Sequence, residues 1–215
     1  MTPKALPRHG LAPVAVSIRS RIEPVGANEL PQLTQIAIAL NRHGRIDWRS
    51  RPVCRLGHIE PSTTVEARSA CGSSLVGEGT FSANVKIPEQ SPFPSKGRVL
   101  AFNGRLRGKP ALFAHIYGTA PVPTSYVLPF AIKRIGGSYG TLLEADLPRV
   151  TGEWGYVTGI SLDLNDPAAS GYLSAGCPAP SGVDAVPFPL AKVALSFVGG
   201  VRNSTVLTRV CRARR

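Results

Sequence analysis

Polar and apolar residues alternate with a period of two along most of this chain. In residues 13–22, Val14, Val16, Ile18 and Ile22 fall on one face of an extended backbone, and Ser17, Arg19 and Arg21 fall on the other, the pattern of a half-buried strand. Residues 33–41 repeat it with Ile36, Ile38 and Leu40. Residues 80–87 give the cleanest case, with Phe81, Ala83, Val85 and Ile87 opposite Thr80, Ser82, Asn84 and Lys86. The same alternation predicts strands at 99–102, 111–117, 126–133, 139–147, 154–164, 192–198 and 205–211, for about ten strands in all. The stripe Trp154, Tyr156, Thr158, Ile160, Leu162 and Leu164 is long enough to cross the middle of a sheet.

Turn chemistry punctuates these segments. Asn103–Gly104, Gly136–Gly137 and Gly199–Gly200 supply residues that tolerate the positive φ of tight hairpins. One helix is predicted, over residues 64–70: Thr63 with Glu66 three residues later forms a capping box, and Pro61 blocks continuation of whatever precedes it. The proline-rich pieces 88–94, 121–123 and 178–189 read as ordered extended connections between apolar segments. Short alternating strands without intervening helices cannot make parallel crossovers, so the expected fold is all-β: an antiparallel β-sandwich of about ten strands with one short helix. Residues 1–215 read as one domain, with 1–11 as a flexible N-terminal segment.

Composition narrows this further. With 22 Gly and 20 Pro in 215 residues, a helical bundle is excluded. Every apolar run is cut by Pro, Gly or a charge before the roughly 18 residues needed to cross a bilayer as a helix. The first residues lack the apolar core of a secretory leader, and the text from Thr2 onward reads like the beginning of a mature domain. The four cysteines, Cys54, Cys71, Cys177 and Cys211, allow three pairings. The nearest-neighbour pairing closes loops stabilised by about 3 and about 4 kcal/mol, and a bond from Cys71 to Cys54 would staple the helix; free buried thiols are the alternative. No Cys-x2-Cys pair exists, and His9, His43, His58 and His115 form no i,i+4 pair, so no metal site is expected.

The 25 Lys and Arg exceed the 13 Asp and Glu, a net charge of +12, which invites a polyanionic partner. Arg42, Arg45, Arg49, Arg51 and Arg55 form one cluster, around Trp48; Arg98, Arg105, Arg107 and Lys109 form a second, and Arg209, Arg212, Arg214 and Arg215 a tail. Trp48 among guanidinium groups could stack on a sugar or grip an anionic polymer, or it could close one end of the fold under a rim of arginines. No nucleic-acid-binding motif accompanies the basic residues.

Catalytic groups are sparse. His115 shares a strand face with Phe113 and Tyr117 and reads as a hydrogen-bonded histidine on a sheet, while His58 reads as packed beside the first disulfide. Serines lack the Gly-x-Ser-x-Gly setting of a nucleophile elbow, and Gly77 with Gly79 lacks a third glycine for a dinucleotide loop. Glu144 with Asp146, and Asp163 near Asp166, could hold a cation or flank a glycosidic bond, but such pairs are more often a solvated strand face. No cofactor is expected.

Several stretches carry a resemblance. Cys54, the short helix, Cys71, then Val76, Gly77 and Gly79, then Pro88, Glu89, Gln90, Pro92 and Phe93, and Leu100 to Gly104, together with Tyr172, Leu173, Ser174, Ala175, Cys177, Pro178 and a terminal strand ending at Cys211, resemble a family of uncharacterised secreted proteins of high-GC Gram-positive bacteria. The resemblance covers nearly the whole chain and implies export and disulfide pairing; members of that family begin with a signal peptide, and the family has no established activity. The expectation is a secreted or cell-envelope-associated β-sandwich acting as a non-catalytic binding or structural module, with anionic envelope polymers or carbohydrate as partners. Two alternatives stand beside it: an extracellular carbohydrate-active hydrolase or lyase, argued from fold analogy alone, and a polyanion or nucleic-acid binder using the basic clusters.

Overall fold

The computed structural model describes residues 1–23, 31–86, 91–120, 122–147, 155–164 and 171–214. Within them the alternating segments become strands β1 (Ala5–Leu6), β2 (Ala12–Pro13), β3 (Val16–Arg21), β4 (Leu33–Asn41), β5 (Gly44–Ile46), β6 (Leu75–Val85) and β7 (Phe93–Leu106). They continue as β8 (Lys109–Gly118), β9 (Thr124–Arg134), β10 (Tyr139–Asp146), β11 (Gly155–Leu164), β12 (Leu173–Ala175), β13 (Ala185–Phe197) and β14 (Arg202–Ala213), with one α-helix, α1 (Thr64–Cys71). Strands make up 62% of the described residues, so the all-β class holds. Trp154, Asp166, Ile87, Arg215 and the Pro88–Glu89–Gln90 part of the resemblance lie outside the described residues.

The layering differs from the expected sandwich. Eleven strands form one sheet in the order β1-β14-β13-β4-β10-β9-β8-β7-β6-β11-β3, and β2-β12-β5 form a second, three-stranded sheet. The large sheet curls into a half-barrel. Strands β6 to β10 follow one another as an unbroken antiparallel meander, so no long connection moves the chain to an opposing layer, and twist accumulated across neighbouring strands bends the single sheet instead. All its pairings are antiparallel except the short parallel contact of β1 with β14.

Residues 1–11, expected to be loose, are docked. Leu6 is fully buried in a cluster with Cys177, Phe188 and Cys211, and Arg8 donates to the Ala179 carbonyl at 3.1 Å. Burial of one large aliphatic side chain is reason enough to hold so short a segment. The N-terminal stretch also links the two sides of the curl, because Thr2 bridges to Ala15 beside β3 while β1 lies on β14. A second correction concerns the β7–β8 hairpin. Asn103 and Gly104 lie inside β7, and the turn is Arg107–Gly108, with φ of 51° and 77°. At Gly104 a Cβ would collide with the Phe113 ring, so this glycine serves close packing and not the turn.

Both cysteine pairs are bonded as nearest neighbours, Cys54 to Cys71 and Cys177 to Cys211, with Cα separations of 5.5 and 5.7 Å. The capping box of α1 forms as the sequence predicts: Thr63 Oγ1 accepts from the Glu66 amide at 3.3 Å, and Glu66 Oε2 accepts from the Thr63 amide at 2.8 Å. The hydrogen bonds that its carboxylate accepts from the Thr63 amide and hydroxyl hold the Glu66 carboxyl below its ordinary pKa. Through Ala67 and Cys71 the stapled helix packs on the outer face of the central strands, where Leu100 and Phe102 of β7, Ala111 and Phe113 of β8 and Val127 of β9 are buried. The opposite, inner face carries the larger core, with Val99, Leu112, Ala114, Ile116, Leu128, Phe130 and Leu143. Strands β7 to β9 are therefore buried on both sides.

Candidate ligand-binding cavity

Strand alternation turns one side chain in two toward the inside of the curl. Val16 and Ile18 come from β3, Ile36, Ile38 and Leu40 from β4, Ile160, Leu162 and Leu164 from β11, and Val193 and Leu195 from β13, and all border one cavity of about 260 Å³. This lies close below the roughly 300–1,000 Å³ of typical small-molecule pockets. The three-stranded sheet reaches it through Ile46, Leu173 and Ala175. Strands β3 and β14, near the two ends of the sheet order, both border it, β14 through Thr205 and Leu207. No carboxylate and no histidine is among the described residues that line it.

The polar residues at the cavity are few. Asn41 is satisfied, donating from Nδ2 to the Pro189 carbonyl at 3.0 Å and accepting at Oδ1 from the His43 amide at 2.9 Å. Tyr172 is not: it is 2% exposed, and its hydroxyl, also buried, meets no hydrogen-bond partner among the described residues. Burial raises its pKa above the ordinary tyrosine value, so it remains a protonated donor. Arg19 and Arg45 also border the cavity, but their side chains are largely in solvent and lie near carboxylates, Arg19 at 3.9 Å from Asp163 and Arg45 at 3.4 Å from Asp47.

The other candidate groups lie elsewhere and do not converge. His115 sits on the outer face under the α1 segment, fully buried. Its Nε2 is 2.9 Å from the Ser62 carbonyl oxygen, with the Ser62 and Ser125 hydroxyls at 3.2 and 3.3 Å. A carbonyl only accepts, so Nε2 carries the proton, and Nδ1 has no partner among the described residues. Burial lowers the His115 pKa, against the opposing pull of the Ser62 carbonyl and the Glu60 charge. The hydrogen-bonded sheet histidine expected from the sequence is what the structure contains. Glu144 is ion-paired with Lys133, and Asp146 accepts from Gln35 Nε2 at 2.8 Å. This pair belongs to a wet strand face.

The basic cluster is divided. Arg42, Arg45, Arg49 and Arg55 are exposed and Arg51 is half-buried. Trp48 is half-buried too, with the guanidinium carbons of Arg49 and Arg105 at 4.9 and 5.0 Å from its ring centroid. Sugar stacking needs an open ring face, whereas here cation–π contacts occupy the indole. The segment is anchored by Asn103, fully buried, whose Nδ2 is 3.0 Å from the carbonyls of Trp48, Arg51 and Pro52. Nothing in the period-two pattern singles out Tyr172, which enters only through the family resemblance, or Asn103, which reads as a turn residue. A period-two pattern marks which residues face inward but carries no signal of whether they meet one another or leave a void.

Among the described residues no group of three or more His, Cys, Asp or Glu could hold a metal ion, and no helix is long and apolar enough to cross a membrane. No protein-family model, curated protein or solved structure matches this chain.

Proposed function

We propose that this chain is an exported, cell-envelope-associated or extracellular protein of the secreted family it resembles, and that it works without catalysis, by holding a small apolar ligand inside its curled sheet. The observation that carries the reading is the cavity of about 260 Å³ bordered by aliphatic and aromatic side chains from the large sheet. A void in a protein interior forfeits dispersion contacts on every side, and filling it with apolar ligand surface regains them at about 25 cal/mol per Å². Two disulfides support export, since such bonds persist in oxidising compartments. The hydrolase reading draws no support from the cavity, since none of His115, Glu144 and Asp146 lines it.

A neutral solvatochromic dye, Nile red, tests this directly. Saturable one-to-one binding with a blue-shifted emission is expected, and Ala114→Phe, which adds bulk at the cavity wall, should abolish it while the fold is retained by circular dichroism. A dye signal that grows without saturation, or is untouched by that substitution, would refute the reading. Export is checked separately by alkylating protein from its native source: four labels are expected only after reduction.

The exposed Arg42, Arg49 and Arg55 keep a second reading in play, attachment to anionic envelope polymers. Binding to a generic polyanion should then weaken steeply with salt, as counterion release requires, and fail on charge reversal of Arg45, Arg49 and Arg51.

A further inference from the structure

The fold gathers basic residues that the sequence keeps apart, at the end of the large sheet where β7 turns into β8. Asn103 Nδ2 lies 3.0 Å from the carbonyls of Trp48, Arg51 and Pro52, and the Cys54 amide donates to the Asn103 carbonyl at 2.9 Å, so residues 48–54 are held against β7. That contact sets Arg49 and Arg105 on one indole, their guanidinium carbons 4.9 and 5.0 Å from the Trp48 centroid. The turn after β7 presents Arg107 at φ 51°, and Lys109 opens β8 opposite Leu106. Next in the sheet, β9 runs on past its pairing of Ala131 with Ala111 to Arg134, which lies opposite Thr141 of β10.

This end is short of negative charge. Arg49, Arg55, Arg105, Arg107, Lys109 and Arg134 are exposed, and none of them forms an ion pair with a carboxylate among the described residues. Asp47 and Glu144 are already engaged, with Arg45 and Lys133. By contrast Arg8, Arg19, Arg68 and Arg98, on other parts of the surface, each face an aspartate or glutamate. Cations crowded together without counter-charge repel one another and focus a positive field, which an anionic partner relieves.

Resting on the second reading above, attachment to anionic envelope polymers, we infer that the attachment surface is this composite end and that its partner is a linear polymer of repeated phosphate groups, lying across residues 49–55, the β7–β8 turn and the end of β9. All but one of the six cations are arginines, whose planar forks match phosphate oxygens two at a time. A nucleic acid fits less well, because single-strand binders stack bases on open aromatic rings, whereas Trp48 is half-buried with guanidinium groups over its ring. A membrane surface fits less well too. Interfacial anchors are exposed Trp and Tyr side chains, and the exposed large apolar residues of these segments are Val53 and Ile135 alone. Recognition here is by backbone charge.

The experiment measures binding of inorganic polyphosphate to the full chain over a range of salt concentrations, in the native protein and in two variants of equal net charge. One carries Arg107→Gln with Lys109→Gln. The other carries Lys96→Gln with Arg202→Gln, also exposed cations without a carboxylate partner among the described residues, but distant ones. Lys96 lies about 30 Å along β7 from Arg105 at about 3.3 Å per residue, and Arg202 pairs with Ser196 opposite Gln35, far along β4 from Asn41. The turn variant should bind about tenfold more weakly at low salt, with a salt dependence shallower by about 0.7 per lost contact. The distant variant should bind as the native protein does. The turn variant should melt no lower than the native protein, since it loses only like-charge repulsion. If both variants weaken binding equally, or the turn variant has no effect, net charge or the 42–55 cluster alone is responsible; the inference then fails and polymer attachment stands. Tighter binding of oligothymidylate, or of phosphatidylglycerol vesicles, than of polyphosphate would overturn the partner class. No binding of polyphosphate at low salt would remove the attachment reading itself.

Discussion

The inner and outer faces of strands β7 to β9 come from the same alternating residues, yet they finish in opposite states. Outward, Phe102, Phe113 and Val127 pack beneath Ile59, Ala67 and the Cys54–Cys71 bond, and the polar groups beside them, His115 and Asn103, donate to loop carbonyls while His115 Nδ1 and Asn103 Oδ1 have no partner among the described residues. Inward, Leu112, Ala114, Ile116, Leu128 and Phe130 face a cavity. A covalent staple close by in sequence brings a matching surface to the outer face. The inner face receives only what the curl of its own sheet and a three-stranded flap can bring, and that leaves space. One side of the sheet is covered and filled, and the other borders open space.

The largest expected contrast follows from packing. Phe113→Ala removes a fully buried ring from the filled face and should cost about 4 kcal/mol. Leu128→Ala, beside the existing void, removes fewer contacts and should cost about 2 kcal/mol. Urea unfolding of both variants measures the difference; equal losses would mean that the inner face is as tightly filled as the outer one in solution. Next comes the staple. Removing Cys54–Cys71 by a double Ala substitution should cost about 3 kcal/mol and leave Nile red binding at saturation unchanged below the new melting temperature, because the lost bond acts on the outer face. Loss of dye binding by folded protein would join the two faces into one unit.

Overpacking reverses the sign of the comparison. Ala67 is fully buried and Ala114 is 7% exposed, so the two look equivalent by burial alone. Ala67→Leu has no room and should lose about 1–3 kcal/mol. Ala114→Leu points into the cavity and should stay within about 0.5 kcal/mol of the native protein, while weakening dye binding. Matched losses from the two substitutions in a chemical-denaturation series would remove the cavity from the argument.

Much of the outer arrangement was legible in the sequence. The Thr63–Glu66 box fixed where α1 starts, the even cysteine count favoured pairing, and the face shared by Phe113 and His115 pointed to a buried histidine. Strand β4 matches its expected bounds of 33–41, and Gly199 and Gly200 do make the β13–β14 turn, each at φ 79°. The single curled sheet was not legible, since alternation reports which face a side chain takes and not whether neighbouring hairpins stay in one layer. Strand β7 shows the related limit: alternation marked 99–102, but both faces of the central strands are apolar, and the strand extends over Phe93–Leu106. β1, β2 and β12 are two or three residues long, too short to show any period. The cavity was hidden for the same physical reason, because an apolar residue bordering a void has the same sequence pattern as one bordering a neighbour.

The outer face also titrates. His115 is held neutral by burial, with a pKa lowered from 6.5. The unfolded chain therefore takes up this proton more readily than the folded one, and stability rises with pH across the window below the ordinary histidine value. The contribution is complete above pH 6.5 and is lost as pH falls toward the lowered folded-state pKa. Urea midpoints measured from pH 7.5 to 5 should fall toward the acid end in the native protein, with a shallower decline in His115→Gln. Identical slopes in the two proteins would show that His115 takes its proton without leaving the Ser62 carbonyl, and that the stapled face opens more easily than its packing implies.

The smallest effect belongs to the carboxylates on β10. Glu144 lies beside Lys133, and Asp146 accepts from Gln35, all on a wet face. Exposed pairs of this kind contribute about 0.2–1 kcal/mol, so Glu144→Gln with Asp146→Asn should move the urea midpoint only slightly and leave dye binding unchanged. Glu144 and Asp146 point away from the cavity, as their absence from its lining shows, and no hydrogen bond leads from them to Tyr172 among those described. A double substitution that instead abolished ligand binding while preserving the fold would mean that the wet side of β10 controls the inner space, and the separation of a structural outer face from a binding inner face would have to be redrawn around that strand.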